Sequence, residues 1–187
     1  MQPEQSISQI ARKELTLFFA SPIAYLFLAA FVAITLFVFF WGEAFFARNI
    51  ADVRPIFQWM PVLLIFLSAA LTMRMWSEER RSGTLEFVLT LPVTPLRFVL
   101  GKFVACVVLL KIAVALTLPL PLTVAWLGNL DWGPVIAGYI ATLLLGSAYI
   151  AIGLFVSARS DNQIVSLMLT VLIGGLFYLI GSPLLTG

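Results

Sequence analysis

Five long runs of apolar residues alternate with short polar segments along the chain, and they predict its main elements. The runs cover approximately residues 23–42, 56–73, 99–127, 134–156 and 163–182. A helix rises about 1.5 Å per residue, so about 20 residues cross a hydrocarbon layer of about 30 Å. Inside lipid the backbone must satisfy its own hydrogen bonds, which favours helices over strands. The pattern predicts an all-α polytopic membrane bundle with five transmembrane helices.

Prolines and capping residues mark the predicted helix ends. Pro22 and Pro95 each follow a hydroxyl residue near the start of a run, and residues 160–163 form a capping box before the fifth run. Pro61 and Pro119 lie inside runs. Because proline lacks a backbone donor and clashes with the preceding turn, we expect these two positions to kink their helices.

The segment before the first run has its own periodicity. Ile7, Ile10 and Leu17 fall on one side of a helix, whereas Arg12 and Lys13 fall elsewhere. This spacing is typical of an amphipathic helix that lies in the membrane interface. We therefore predict a cytoplasmic interfacial helix within residues 1–22 and a transmembrane domain over residues 23–187. The alternative is that the first span simply continues into the cytosol.

Composition agrees with a membrane protein, and the basic residues predict its orientation. Hydrophobic residues make up 61% of the 187 positions and charged residues only 11%, far from the balance of soluble domains. Of the 11 lysines and arginines, Arg48 and Arg54 fall on one side, Lys111 lies inside the third run, and all others fall on the side of the N-terminus. The positive-inside rule then predicts a multi-pass membrane protein with a cytoplasmic N-terminus.

Several kinds of chemistry are disfavoured by what the sequence lacks. Histidine is absent, cysteine occurs once, and the net charge is only +2. These features argue against histidine-based acid–base catalysis, metal centres, intrachain disulfides and nucleic-acid binding. Neither a Walker A glycine loop nor a G-x-S-x-G elbow occurs. We expect no enzyme activity and no cofactor bound by this chain.

The most informative polar stretch is the predicted cytoplasmic loop 74–95, called here the coupling loop. Residues 78–81 can pair at helical spacing, Gly83 interrupts, and residues 84–91 predict a short amphipathic helix that ends at Pro92. Such a loop offers charges to a soluble partner and apolar residues to anchor it. The alternative is a solvated loop with snorkelling charges.

The coupling loop also carries a resemblance to a known family. Glu-Glu-Arg-Arg-Ser-Gly-Thr-Leu-Glu at 78–86, with Leu-Thr-Leu-Pro-Val-Thr at 89–94 and Val-Leu-Gly-Lys at 99–102, resembles the signature of ABC-2 type transporter permeases. Residues 12–15 and 21–25 resemble the gliding-motility-type subgroup. The resemblance implies the permease subunit of an ABC exporter. It also implies a separate cytoplasmic ATPase that binds ATP and Mg²⁺.

The resemblance further implies partners and coupling residues. It predicts a second permease copy, as a homodimer or pseudo-dimer in the lipid bilayer, and an accessory membrane protein in the subgroup. The family pattern has six spans, whereas five are visible here. The motif assigns ATPase coupling to Glu78, Glu79, Arg80, Arg81, Gly83, Thr84 and Glu86.

Lys111 is a second candidate. It lies nine residues after Lys102, about 13 Å deeper along a regular helix. A charge at that depth is a candidate for the transport pathway or the dimer interface. The alternatives are that its stem snorkels to the headgroups or that it pairs with a polar group on a neighbouring span.

Small residues predict close helix packing in the fourth run. Gly138, Thr142 and Gly146 recur every four residues, a spacing that lets two helices approach closely. We expect this packing within one permease before a dimer contact.

Two rival functions remain open at this stage. One is a membrane scaffold that anchors an ABC-like ATPase or an accessory assembly without transport. The other is an ion-coupled secondary transporter, which normally needs buried acidic or histidine residues inside its spans. Every Asp and Glu of this chain falls in a predicted tail or loop, so the ion-coupled class is the weaker rival.

Overall fold

The computed structural model describes residues 7–42, 52–76, 79, 83 and 95–181. No strand occurs within these ranges. Five helical stretches are long and apolar enough to cross a membrane, so the predicted helical membrane bundle is confirmed. The helices are α1 (Ile7–Phe19), α2 (Pro22–Phe37, extended by a π-helical turn at Val38–Gly42), α3 (Arg54–Thr72), α4 (Pro95–Ala115), α5 (Pro119–Leu127), α6 (Trp132–Arg159) and α7 (Gln163–Ile180).

Side-chain caps start two of the spans. The Asp131 carboxylate accepts a hydrogen bond from the Gly133 N–H at 3.0 Å, which caps α6. The Asn162 side chain accepts one from the Ile164 N–H at 2.9 Å, which caps α7. The predicted capping box from Ser160 is therefore wrong by two residues. The Ser160 hydroxyl instead bonds the backbone of Asn162.

The third apolar run is interrupted near its middle. α4 ends at Ala115, residues 116–118 form a turn, and α5 begins at Pro119. This is the distortion expected from a proline without a backbone donor. The hydroxyls of Thr117 and Tyr139 lie 3.1 Å apart, which ties the turn to α6. Pro61, by contrast, lies within α3 without ending it.

α3 lies at the centre of the bundle. It packs against α2, α6 and α7, and 61% of its span is buried. α7 is peripheral, since only 17% of its span is buried. The hydroxyls of Ser68 and Thr72, which are buried, donate to carbonyl oxygens one turn earlier in α3. This removes the cost of placing them in an apolar interior.

Glycines on α6 allow close helix contacts. A Cβ at Gly138 would lie 2.6 Å from the ring of Phe57 on α3, and one at Gly146 would lie 2.7 Å from a methyl group of Leu110 on α4. Gly138 and Gly146, two of the three small residues predicted to favour close packing, therefore make that contact within the chain.

α1 is separate from the first span. A turn at Ala20 and Ser21 divides α1 from α2, and α1 packs mainly on α4. Its buried side includes Ile10 and Glu14, while Arg12 is exposed. α1 and α2 are therefore two separate helices, and the placement of α1 in the membrane interface stays a prediction.

Candidate functional site

A close contact between α1 and α4 positions the site. A Cβ at Gly101 would lie 2.5 Å from Cγ2 of Ile10, so the absence of a side chain at this position lets α1 lie directly on α4. Lys102 is the next residue of α4, and it is 1% exposed. Because α1 lies directly on α4 at Gly101, it covers the neighbouring Lys102 side chain and shields it from solvent.

The Lys102 ammonium contacts α1 and two points of the coupling loop. Its Nζ donates to Glu14 Oε1 on α1 at 3.0 Å, to the Met75 carbonyl after α3 at 2.7 Å, and to Glu79 Oε1 in the coupling loop at 2.9 Å. An ammonium group has three donors, and all three are used. We call Lys102, Glu14, Glu79 and the Met75 carbonyl the ionic cluster.

Aromatic rings complete the surroundings of the ammonium. Nζ of Lys102 lies 5.3 Å from the ring centre of Trp76 and 5.0 Å from that of Phe98, within the range of cation–π attraction. The two rings meet edge to face, with centres 5.5 Å apart. The cation therefore has favourable contacts on its apolar side as well as with its oxygen acceptors.

α6 holds one wall of this site in place. The Trp76 N–H donates to Ser157 Oγ at 3.3 Å, and the Ser157 hydroxyl donates to the Met73 carbonyl at 3.4 Å. Ser157 is fully buried. Its hydroxyl thus joins α6 to the backbone turn that presents Met75 and Trp76 to the lysine.

The charges within the ionic cluster do not cancel. Two carboxylates and one ammonium carry a formal charge of −1 within a largely buried volume. The Arg74 guanidinium lines the same cavity, which measures about 350 Å³ and lies between α1, α2, α3 and the start of the coupling loop. Burying charges is costly unless they are paired. Here both carboxylates pair with the same lysine, which offsets part of that cost.

The structure places only part of the predicted coupling set. Glu79 belongs to the ionic cluster. Gly83 is exposed with φ of +70°, a left-handed conformation that favours glycine and suits the predicted interruption. The other predicted coupling residues lie outside the described residues: Glu78, Arg80, Arg81, Thr84 and Glu86.

Lys111 does not join the ionic cluster. Its side chain is exposed on α4, and it forms no ion pair with any residue in the described part of the chain. The expectation that it pairs with a polar group on a neighbouring span therefore finds no partner within that part.

Sequence reasoning missed the two buried members of the ionic cluster outside the coupling loop. In the sequence pattern Lys102 counts as one of the cytoplasmic basic residues, and Glu14 falls in the N-terminal tail. The sequence did single out both residues in one respect, because Glu14 and Lys102 fall in segments that resemble the permease family. Among the described residues, no group of three His, Cys, Asp or Glu side chains could hold a metal ion.

Five helical stretches are long and apolar enough to span a bilayer, which defines a multi-pass membrane protein. The ionic cluster lies at one end of this bundle, next to the start of the coupling loop. The chain belongs to the ABC-2 transporter family, since the family model described as "ABC-2 family transporter protein" matches residues 47–186. It is therefore a transmembrane component of an ABC transporter, and membership implies association with a cytoplasmic ABC ATPase. No curated protein and no solved structure matches the chain.

Proposed function

We propose that this chain is the permease subunit of an ABC exporter in the bacterial inner membrane. A separate cytoplasmic ATPase binds ATP and Mg²⁺ and hydrolyses ATP, while this chain moves the substrate. The coupling loop receives the movement of the ATPase through Glu78–Arg81, Gly83, Thr84 and Glu86. The chain itself carries out no catalysis in this scheme.

The observation that carries the proposal is the bond between Glu79 and Lys102. It joins the coupling loop to α4 at 2.9 Å, and the same ammonium reaches α1 at 3.0 Å. A displacement of the loop would therefore be passed to two helices at once. Rigid-body displacements of this kind are a common way to couple a soluble domain to a packed bundle.

Orientation and assembly form the second part of the proposal. The N-terminus lies in the cytoplasm, as the excess of Lys and Arg on that side supports. Two permease copies face each other in the membrane, and the likeness of residues 12–15 and 21–25 to the gliding-motility-type subgroup supports an accessory membrane protein. Lys111, exposed on α4, remains the candidate for the pathway or the dimer interface.

Purification in a gentle detergent tests the partnership directly. We expect a stoichiometric soluble subunit with a Walker A sequence to accompany the tagged chain and to be identified by mass spectrometry. A third membrane protein would support the subgroup. Recovery of the chain alone, even after cross-linking through Glu79 or Glu86, would contradict the coupling assignment. Recovery of an ATPase without substrate flux would favour a membrane scaffold.

Charge reversal in the coupling loop tests the route of coupling. We expect Glu86→Lys to lower permease-stimulated ATPase activity several-fold without lowering membrane insertion, because a repelled loop no longer follows the ATPase. The matched control is Asp161→Lys, which makes the same charge change at an exposed residue on the proposed cytoplasmic side but outside the loop. Equal stimulation in the two variants would count against the assignment.

A further inference from the structure

We propose that the cavity between α1, α2 and α3 binds the headgroup of one phospholipid with a primary amine, which is the chemistry of phosphatidylethanolamine. Arg74 binds the lipid phosphate, and Glu14 accepts a hydrogen bond from the lipid ammonium. Both residues line this cavity. The site goes beyond the proposed function, because it involves neither the ATPase nor the orientation of the chain.

The cavity lies at the depth where lipid headgroups are expected. Its wall includes Ala24 and Phe27, which stand at the beginning of the candidate span Ala24–Gly42. It also includes Leu71, which stands at the end of the candidate span Arg54–Thr72. The headgroup layer of a bilayer begins where the apolar spans end. The cavity therefore lies beside the headgroups of one leaflet.

The cavity has room for a headgroup and reaches the surface of the bundle. Its volume is about 350 Å³, within the range of roughly 300–1,000 Å³ that small-ligand pockets occupy. Leu17, on its α1 wall, is exposed. The acyl chains of the bound lipid can follow α2 into the bilayer, since α2 exposes apolar side chains such as that of Leu26.

Arg74 has no acceptor for its guanidinium group in the part of the chain that the structure describes. Its Nε is buried and has no hydrogen-bond partner there, and no carboxylate in that part pairs with it. A buried donor without an acceptor is costly. Because the flat guanidinium fork binds two phosphate oxygens at once, a phosphate group is the acceptor best suited to it.

Glu14 has an oxygen left for a cationic donor. Its Oε1 accepts from Lys102 at 3.0 Å, whereas its Oε2 accepts no hydrogen bond from any described residue. Lys102 also pairs with Glu79, so Glu14 shares its cation. A primary ammonium adds three donors. A headgroup with an amine at one end and a phosphate at the other therefore suits Glu14 and Arg74 together, while a purely anionic headgroup would bring a like charge to Glu14.

Native mass spectrometry of the purified full chain tests the headgroup chemistry. Phosphatidylethanolamine, phosphatidylcholine and phosphatidylglycerol with identical acyl chains are titrated in detergent, and the dissociation constant of the first bound lipid is measured. We expect phosphatidylethanolamine to bind about tenfold more tightly than the other two, because each lacks one charge-assisted hydrogen bond. Phosphatidylcholine has no N–H for Glu14, and phosphatidylglycerol has no cation. Equal binding of all three would overturn the inference.

Substitutions locate the bound lipid. We expect Arg74→Gln to weaken binding of phosphatidylethanolamine about tenfold, since a charge-assisted bond to phosphate is lost. The matched control is Arg159→Gln, which removes the same charge from an exposed residue at the end of α6 and should change binding by less than about twofold. Wild-type affinity in Arg74→Gln, or equal weakening in both variants, would overturn the inference. Glu14→Gln should abolish the preference over phosphatidylcholine. If that variant does not accumulate, the comparison of headgroups on the wild-type chain tests the same contact.

A soluble competitor distinguishes a lipid from a free phosphate compound. Phosphoethanolamine has the same amine and phosphate groups but no acyl chains. We expect neither phosphoethanolamine nor inorganic phosphate to displace the lipid at an equal concentration, because the chains add contacts along α2. Displacement by either compound would assign the cavity to a soluble phosphate and overturn the lipid assignment. The proposed function is unaffected by either result, since the ATPase is absent from these measurements.

Discussion

Lys102 shows how one residue can satisfy a charge inside an apolar bundle. Its three donors meet two carboxylates and the Met75 carbonyl, and the carbonyl lies just past the C-terminal end of α3, where the helix dipole favours a cation. The three oxygens converge on a single nitrogen, whereas an arginine would spread five donors over a flat fork. We therefore regard the position as specific for an ammonium group.

Two lysines of α4, one buried and one exposed, allow a matched test of how much Lys102 stabilises the fold. Lys102→Met should lower the free energy of unfolding by about 3–5 kcal/mol, because it leaves two buried carboxylates without their cation. Lys111→Met makes the same chemical change at an exposed position of α4 and should not lower it, because an apolar side chain suits a lipid-facing position at least as well as an ammonium does. Thermal or denaturant unfolding of both variants in the same detergent measures the difference.

Measuring export as well as unfolding shows whether Lys111 serves transport or only the stability of the fold. Equal destabilisation in the two variants would show that the ionic cluster does not stabilise the fold as described. Unchanged export by Lys111→Met at normal abundance would remove Lys111 from the candidate pathway. Loss of export without loss of stability would support it there.

At the level of elements, the contact between α6 and α3 depends on a missing side chain. A Cβ at Gly153 would overlap Thr72, whose own Cβ would lie 3.0 Å away. We expect Gly153→Ala to destabilise the bundle by about 1–3 kcal/mol, since overpacking forces the helices apart. Gly175, on α7, has no atom within 4 Å of such a Cβ.

Gly175→Ala is the matched control for that substitution. Alanine is a better helix former than glycine, so we expect it to be neutral or to stabilise by up to about 1 kcal/mol. Melting temperatures of both variants in one detergent provide the comparison. Equal melting temperatures would show that the α3–α6 contact is looser than the structure indicates.

The helices could be predicted from sequence because their signals are local. A run of apolar residues fixes each span, and Pro95 and Pro119 mark where α4 and α5 begin. The cap of α7 was predicted at the wrong residue, because Ser160 and Asn162 are both good capping residues. Only the backbone conformation decides that Asn162 takes the role.

The ionic cluster could be predicted only in part, because its bonds are not local. The motif in the coupling loop identified Glu79. Lys102 and Glu14 are 88 residues apart, and each fits its own surroundings without a partner. A lysine near a span end resembles an interface anchor, and a glutamate in an amphipathic helix resembles a solvated charge. Their pairing follows from the packing of α1 on α4, which no local pattern specifies.

For the molecule as a whole, the proposed orientation predicts which loops water-soluble reagents reach. A membrane-impermeant maleimide should label Asn129→Cys in intact cells, because the segment between α5 and α6 faces outwards in this scheme. Asp161→Cys should react only after the cells are made permeable. Both positions are exposed, and the native Cys106 is 0% exposed, so background labelling is low. The reverse pattern would invert the proposed topology.

The separation of Glu14 from Lys102 also has a consequence for how the protein is made. Glu14 leaves the ribosome 88 residues ahead of its cation, which corresponds to roughly 4–18 s at a synthesis rate of about 5–20 residues per second. During that interval α1 has neither its ionic partner nor the surface of α4 to pack against. α1 is therefore translated before every other described helix but docks late, and its attachment has to wait until α4 has been made.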